Sequence, residues 1–185
     1  MNDTNIQSIY QKTIAFAAEH HGQQKMPNGL PYTVHLSNVA MEVFMAHKKK
    51  PDFELTLAVQ LALLHDVLED TSLSFKELED AFDGVVARGV LALTKNTSLD
   101  KKYQMQDCLT RIVMQDKEVA IVKLCDRITN LQKPPVKWHK EKIKKYHLQA
   151  IKIAERLKGK NAYLDKRINR KIEHYKLYFN IKKNN

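Results

Sequence analysis

Apolar residues recur along most of this chain every three or four positions, the spacing of one helix face. Ile6, Ile9, Tyr10, Ile14, Ala17 and Ala18 predict a first helix that stops near His21-Gly22. Gln23 to Tyr32 contains Pro27, Asn28, Gly29 and Pro31 and reads as a loop. A helix starting at Thr33 carries His35, Val39, Val43 and Phe44, and Pro51-Asp52 separates it from the next. In that next segment Leu55, Leu57, Val59, Leu61, Leu63 and Leu64 crowd nearly every face, which predicts a buried helix. Ser74 with Glu77 has capping-box spacing, and Asp83-Gly84 breaks the chain before Val85 to Leu93. Past a polar loop at Thr94 to Asp100, Lys101 to Met114 reads as helix, then Lys117 to Leu131 as a second largely buried one. After Pro134-Pro135 come two long basic helices, around Trp138 to Leu157 and Asn161 to Ile181. There is no repeat, no Gly-rich phosphate loop and no convincing strand. The expectation is an all-α fold: one domain over residues 1–185, a compact multi-helix bundle with basic C-terminal helices, 137–182, packed on it.

Composition narrows the class. The 185 residues suffice for a substantial core, and 43% hydrophobic residues argue against global disorder. Met1 to Asn5 is polar, no apolar run approaches a membrane span, and Cys108 and Cys125 lack CxxC spacing. The expectation is a soluble protein of a reducing cytoplasm, with no membrane partner.

The net charge of +10 is unevenly spread. From Lys133 to Asn185 there are 17 Lys+Arg against 4 Asp+Glu, leaving 14 against 17 elsewhere. A solvated face of two amphipathic helices accounts for this; so does an electrostatic lead-in for an anionic substrate, or a nucleic-acid surface.

The candidate chemistry sits in the apolar helices. Leu63-Leu64-His65-Asp66-Val67-Leu68-Glu69-Asp70 puts four ionisable groups in a buried setting, where charges are costly unless paired or holding a metal. On one continuous helix, Glu69 follows His65 and Asp70 follows Asp66 by about one turn. One cleft would then hold an imidazole and carboxylates suited to a divalent metal with acid/base residues beside it. In the second buried helix Lys123, Asp126, Arg127 and Asn130 form a single polar stripe. Spacing alone reads this as a buried ion pair of Lys123 or Arg127 with Asp126 at least as readily as a metal ligand. His35, as a lone histidine on an amphipathic helix, is equally ambiguous.

Pro31-Tyr32-x-x-His35, Leu64-His65-Asp66-x-x-Glu69-Asp70-Thr71 and Val122-Lys123-Leu124-Cys125-Asp126-Arg127-Ile128-x-Asn130-Leu131, in that order, resemble the hydrolase domain of the RelA/SpoT alarmone enzymes, in the HD phosphohydrolase superfamily. The match runs over roughly residues 10 to 150 and is closest to stand-alone alarmone hydrolases of the metazoan SpoT-homologue type. The resemblance implies an HD-domain bundle with a metal-centred cleft. It also implies His35, His65, Asp66 and Asp126 as metal ligands, and Glu69 and Asp70 as the catalytic acids that serve the attacking water. The family's cofactor is Mn²⁺, and the donor set also admits Fe²⁺, Zn²⁺ or Mg²⁺. The implied reaction removes the 3′-diphosphate of guanosine tetra- or pentaphosphate as pyrophosphate, so the partner is an anionic nucleotide. Gln24, Lys25, Asn28, Tyr32 and Asn130 fall at nucleotide-side positions. Lys101, Lys102, Lys137 and Lys142 are candidate phosphate contacts, and Tyr146 a candidate for the same cleft.

Departures from the family pattern fall on the nucleotide side. Gln24 or Lys25 stands where the family usually has Arg, and Asn130-Leu131-Gln132-Lys133 replaces an Asn-Met-Arg-Thr-like run. Base specificity is therefore open to NADPH, adenine alarmones or nucleoside monophosphates. From another class, a nucleic-acid-binding module would use the helices from Trp138 onward, but their aromatic residues fall at core spacing. A protein that binds nucleotide without turnover is disfavoured because no expected ligand is missing. Val136, Trp138 and Tyr175 to Phe179 fit a homodimer face or an internal packing surface equally well.

Overall fold

The computed structural model describes residues 3–180, with side chains from Ile6 onward; the predicted helix end at Ile181 lies outside them. Among the described residues ten α-helices run in chain order: α1 Asp3–His21, α2 Thr33–Lys49, α3 Leu55–Leu64, α4 Val67–Asp70, α5 Phe75–Ala81, α6 Gly84–Leu93, α7 Lys101–Val113, α8 Lys117–Asn130, α9 Lys140–Arg156 and α10 Ala162–Tyr175, with a 3₁₀ turn at Lys176–Tyr178. Among the described residues the one extended pairing is an isolated bridge between Lys25 and Pro31. No helix there is long and apolar enough to cross a membrane.

The two most deeply buried helices, α3 and α8, form the centre. Ala58, Val59, Leu61, Ala62, Leu63 and Leu64 of α3 are fully buried, and every residue of α8 from Glu118 to Thr129 is buried. Helix α2 packs on both, α1 covers α3, and α10 covers α8, with α9 beside it. α6 comes especially close to α3: a Cβ placed on Gly89 would lie 2.6 Å from Leu61 Cδ2, so only glycine permits this spacing.

Local signals set most helix ends. Ser74 and Glu77 form a capping box at the start of α5, and Asp83 caps α6 by accepting from Val86 N–H at 2.8 Å. Gly22, at φ +51°, ends α1 in the left-handed region that suits glycine. Asn161 caps α10, accepting from Tyr163 and Leu164 N–H at 3.1 Å each. Its amide also donates to Asp52 Oδ1 at 2.9 Å, tying α10 to the loop before α3.

One expectation fails in an informative place. The run from Leu55 to Asp70 is not one helix: it breaks at His65-Asp66, where Asp66 adopts φ −108°, ψ −2°, and resumes as the single turn α4. The break turns the Glu69 and Asp70 carboxylates toward separate holders, described below. The last two helices begin later than expected, at Lys140 and Ala162, and the second tightens into its 3₁₀ turn after Tyr175. Of the surface offered for a homodimer, Tyr175 is buried in the monomer and Trp138 packs on Tyr146, whereas Val136 is exposed.

Candidate functional site

The His65-Asp66 break, α2 and α8 meet at the floor of a cleft of about 330 Å³. His35 on α2 and His65 at the end of α3 point their Nε2 atoms at each other, 3.3 Å apart. Asp126 Oδ1 on α8 lies 3.5 Å from the first and 3.9 Å from the second. These three groups are buried and close enough to hold one metal ion. His65 Nδ1 donates to the Ala62 carbonyl at 2.8 Å, which makes Nε2 the nitrogen that faces the cluster and the one a metal would take in place of a proton. Two imidazole nitrogens and a carboxylate converging at these distances fit a divalent cation.

Asp66 reaches the same two imidazoles. Its Oδ2 is 2.9 Å from His65 Nε2 and 3.8 Å from His35 Nε2, and it accepts the Tyr32 hydroxyl. Burial alone would raise both carboxylates. For Asp66 the charge and hydrogen bond of His65 outweigh burial; for Asp126 the His35 hydrogen bond and the Lys123 charge do so, and both stay well below the usual carboxylate range. Burial, with the Asp66 charge next, pushes Tyr32 far up, so it remains a donor at any working pH. Burial would lower His65, but Asp66 and Asp126 overcome it and push it up to about 9.

The polar stripe of α8 supplies both of the roles left open by its spacing. Lys123 Nζ is 3.6 Å from Asp126 Oδ2, and Asn130 donates to Asp126 Oδ1 at 2.5 Å. Asp126 is thus an ion-pair partner and a member of the metal set at once. Burial works against the Lys123 charge, yet Asp126 holds its pKa above the ordinary value.

Glu69 and Asp70 line the same cleft, each held by a residue distant in sequence. Glu69 pairs with Lys95, whose ammonium binds Oε1 and whose backbone N–H donates to Oε2 at 3.0 Å. Asp70 Oδ2 accepts from Gln24 Nε2 at 2.8 Å, and Gln24 Oε1 meets His21 Nδ1 at 2.7 Å. Because a carboxylate accepts, the Gln24 NH₂ must face Asp70, and its oxygen then requires the proton on His21 Nδ1.

Tyr32, Asn130 and Tyr146 also line the cleft, as expected. Gln24 reaches it through Asp70, with both ends of its amide in use. Asn28 closes a loop turn by accepting from Leu30 N–H at 3.2 Å, and Lys25 lies in the strand-like bridge to Pro31. Lys101 is exposed on the first turn of α7, Lys102 lies over Tyr103, and Lys142 sits 4.4 Å over the Trp138 ring; Lys137 is exposed too. None of these lysines lines the cleft, where Lys95 and Lys123 supply the ammonium groups and Arg127 the guanidinium. Lys95 was missed because it stands in a polar loop with no acid at helical spacing.

An all-α bundle whose central helices converge two histidines and aspartates under a cleft defines an HD-type metal-site scaffold. Residues 13–161 match the HD domain, and the chain belongs to that family. It is 32% identical over 168 residues to the guanosine-3′,5′-bis(diphosphate) 3′-pyrophosphohydrolase MESH1 of Danio rerio, covering 87% of this chain and 91% of that protein. The Drosophila melanogaster protein of the same name is 30% identical, with 84% and 88% covered. An Aquifex aeolicus guanosine-3′,5′-bis(diphosphate) 3′-pyrophosphohydrolase is 33% identical over 146 residues, and this chain spans 20% of its length. A solved structure described as a metazoan ortholog of SpoT that hydrolyzes ppGpp and plays a role in starvation responses superposes with a TM-score of 0.77 at 27% identity, covering 90% of this chain and 94% of that one.

Proposed function

We propose that this chain hydrolyses guanosine 3′-diphosphate alarmones to GDP or GTP and pyrophosphate. The observation that carries the reading is the placement of Glu69 and Asp70 in one cleft with His35 and Asp126, which cluster with His65, in a chain whose relatives bear that activity in their names.

His35, His65, Asp66 and Asp126 would hold the divalent cation, and we assign it as Mn²⁺ on the mixed nitrogen and oxygen donors. When bound, it supplies Lewis acidity and lowers the pKa of water. The protein's own residues do the rest. Lys123 pairs with Asp126 Oδ2, Asn130 donates to its Oδ1 and Tyr32 donates to Asp66, so these carboxylates need little reorganisation. Asp70, aimed by Gln24, takes a proton from the attacking water, and Glu69, held by Lys95, serves the departing 3′-oxygen. Tyr32, Asn130 and Tyr146 line the space for the nucleoside. One catalytic unit over residues 1–185, working in the cytoplasm, accommodates this chemistry.

Because Gln24 is committed to Asp70, guanine selection rests on the other lining residues, and base preference is the part to test first. Guanosine tetraphosphate, its adenine counterpart and NADPH are offered side by side with Mn²⁺ and with a chelator control, and the products separated by anion exchange. Chelator-sensitive GDP from the guanine alarmone is expected. Preferential turnover of NADPH or the adenine compound would overturn the substrate assignment.

A further inference from the structure

Of the three cations lining the cleft, two are committed: Lys95 to Glu69 and Lys123 to Asp126. Arg127 is not. It is 5% exposed, lines the cleft, and has no carboxylate partner among the described residues. Two of its three guanidinium nitrogens, Nε and Nη1, are buried without a hydrogen-bond partner. Its Cζ lies 4.1 Å from the centre of the Tyr146 ring. A ring face supports a cation while consuming none of its N–H donors. Tyr146 therefore covers the charge and, although its hydroxyl also interacts with the guanidinium, leaves Nε and Nη1 unspent. Burying an unpaired cation is costly, and burying its donors unsatisfied adds to the cost, so the arrangement makes physical sense if an anion completes it.

The position of Arg127 says which anion. It follows Asp126 directly and lies one turn beyond Lys123, so it flanks the metal set on the same helix face. A guanidinium presents several donors to a tetrahedral oxyanion, a geometry suited to phosphate. We propose that Arg127 forms a phosphate subsite that receives the diphosphate group of the nucleotide and holds the pyrophosphate product, the Tyr146 ring shifting off the guanidinium as the anion enters. The identity of the anion rests on the hydrolase reading above; the existence of the subsite does not.

The test is isothermal titration of manganese pyrophosphate into the manganese-loaded full chain, with bound metal per chain measured alongside. Arg127→Gln is expected to weaken pyrophosphate binding about tenfold or more, the worth of a lost charge-assisted contact, with metal content unchanged. Arg127→Lys, which keeps the charge and loses the fork, should fall between the two. Unchanged affinity in a metal-replete Arg127→Gln protein would overturn the subsite. If that variant fails to fold, Arg127→Lys decides, and wild-type affinity in it overturns the proposal. Arg127-dependent pyrophosphate binding in a protein that leaves guanine alarmones intact would sink the hydrolase reading and keep the subsite. Alarmone turnover with pyrophosphate affinity indifferent to Arg127 would do the reverse.

Discussion

The Gln24 side-chain amide donates to Asp70 Oδ2 at 2.8 Å across 46 residues of sequence, and its oxygen is itself held by His21. The amide sets the direction of a cleft carboxylate from the loop that follows α1. Gln24→Leu should therefore lower kcat by about tenfold to a hundredfold through lost orientation, with KM and metal content nearly unchanged. Steady-state kinetics on the metal-loaded protein check this. A raised KM at constant kcat would return Gln24 to substrate binding.

Glu69 is held twice by the same residue, by the Lys95 ammonium and by its backbone N–H. A side-chain substitution removes only the first. Lys95→Ala should thus cost kcat about threefold to tenfold, less than Gln24→Leu, and salt should blunt the difference from wild type because the pair is partly exposed. Turnover measured across ionic strength reads both effects.

The metal set and the acids should separate under mutation. Asp126→Ala or His65→Ala is expected to lose bound metal and turnover together. Glu69→Gln or Asp70→Asn should keep the metal and lose rate by about a hundredfold or more. Elemental analysis paired with rates distinguishes the two patterns, and a fully active Asp126→Ala protein would refute the metal assignment.

Asn161 joins the start of α10 to Asp52, and Lys117 of α8 reaches the same carboxylate at 3.1 Å. Asn161→Ala should cost about 1–2 kcal/mol in denaturant unfolding at neutral pH, the usual worth of an N-cap. Burial would raise Asp52, but the hydrogen bonds from Lys117 and Asn161 outweigh it and lower its pKa. A lowered folded-state value means that stability from ionised Asp52 is present above about pH 4 and fades as pH falls through the folded value. The stability gap between wild type and Asp52→Asn should accordingly be largest at neutral pH and close in acid.

Helix placement was legible because periodicity and caps act locally: the apolar α3, the Ser74-Glu77 box and the buried α8 stand where their residues put them. The ordered motifs likewise named His35, His65 and Asp126, which the fold brings together. What the sequence hid depends on chain folding back on itself. The helix break at His65-Asp66 has no Gly or Pro to announce it; it occurs where two polar side chains turn into the same metal-ligand cluster. Lys95 meets Glu69 from 26 residues away, and Gln24 meets Asp70 from 46, distances at which spacing carries no signal. Lys101 and Lys142 were candidates on charge, and the fold leaves both outside the cleft because amphipathic helices turn their lysines to solvent.

Phosphorus NMR of the products formed from guanosine tetraphosphate by the manganese-loaded protein tests the central claim most directly. One pyrophosphate and one GDP per substrate consumed, absent in Asp126→Ala, is the predicted result. Orthophosphate as the released product, or an intact alarmone beside a fully metal-loaded protein, would contradict it.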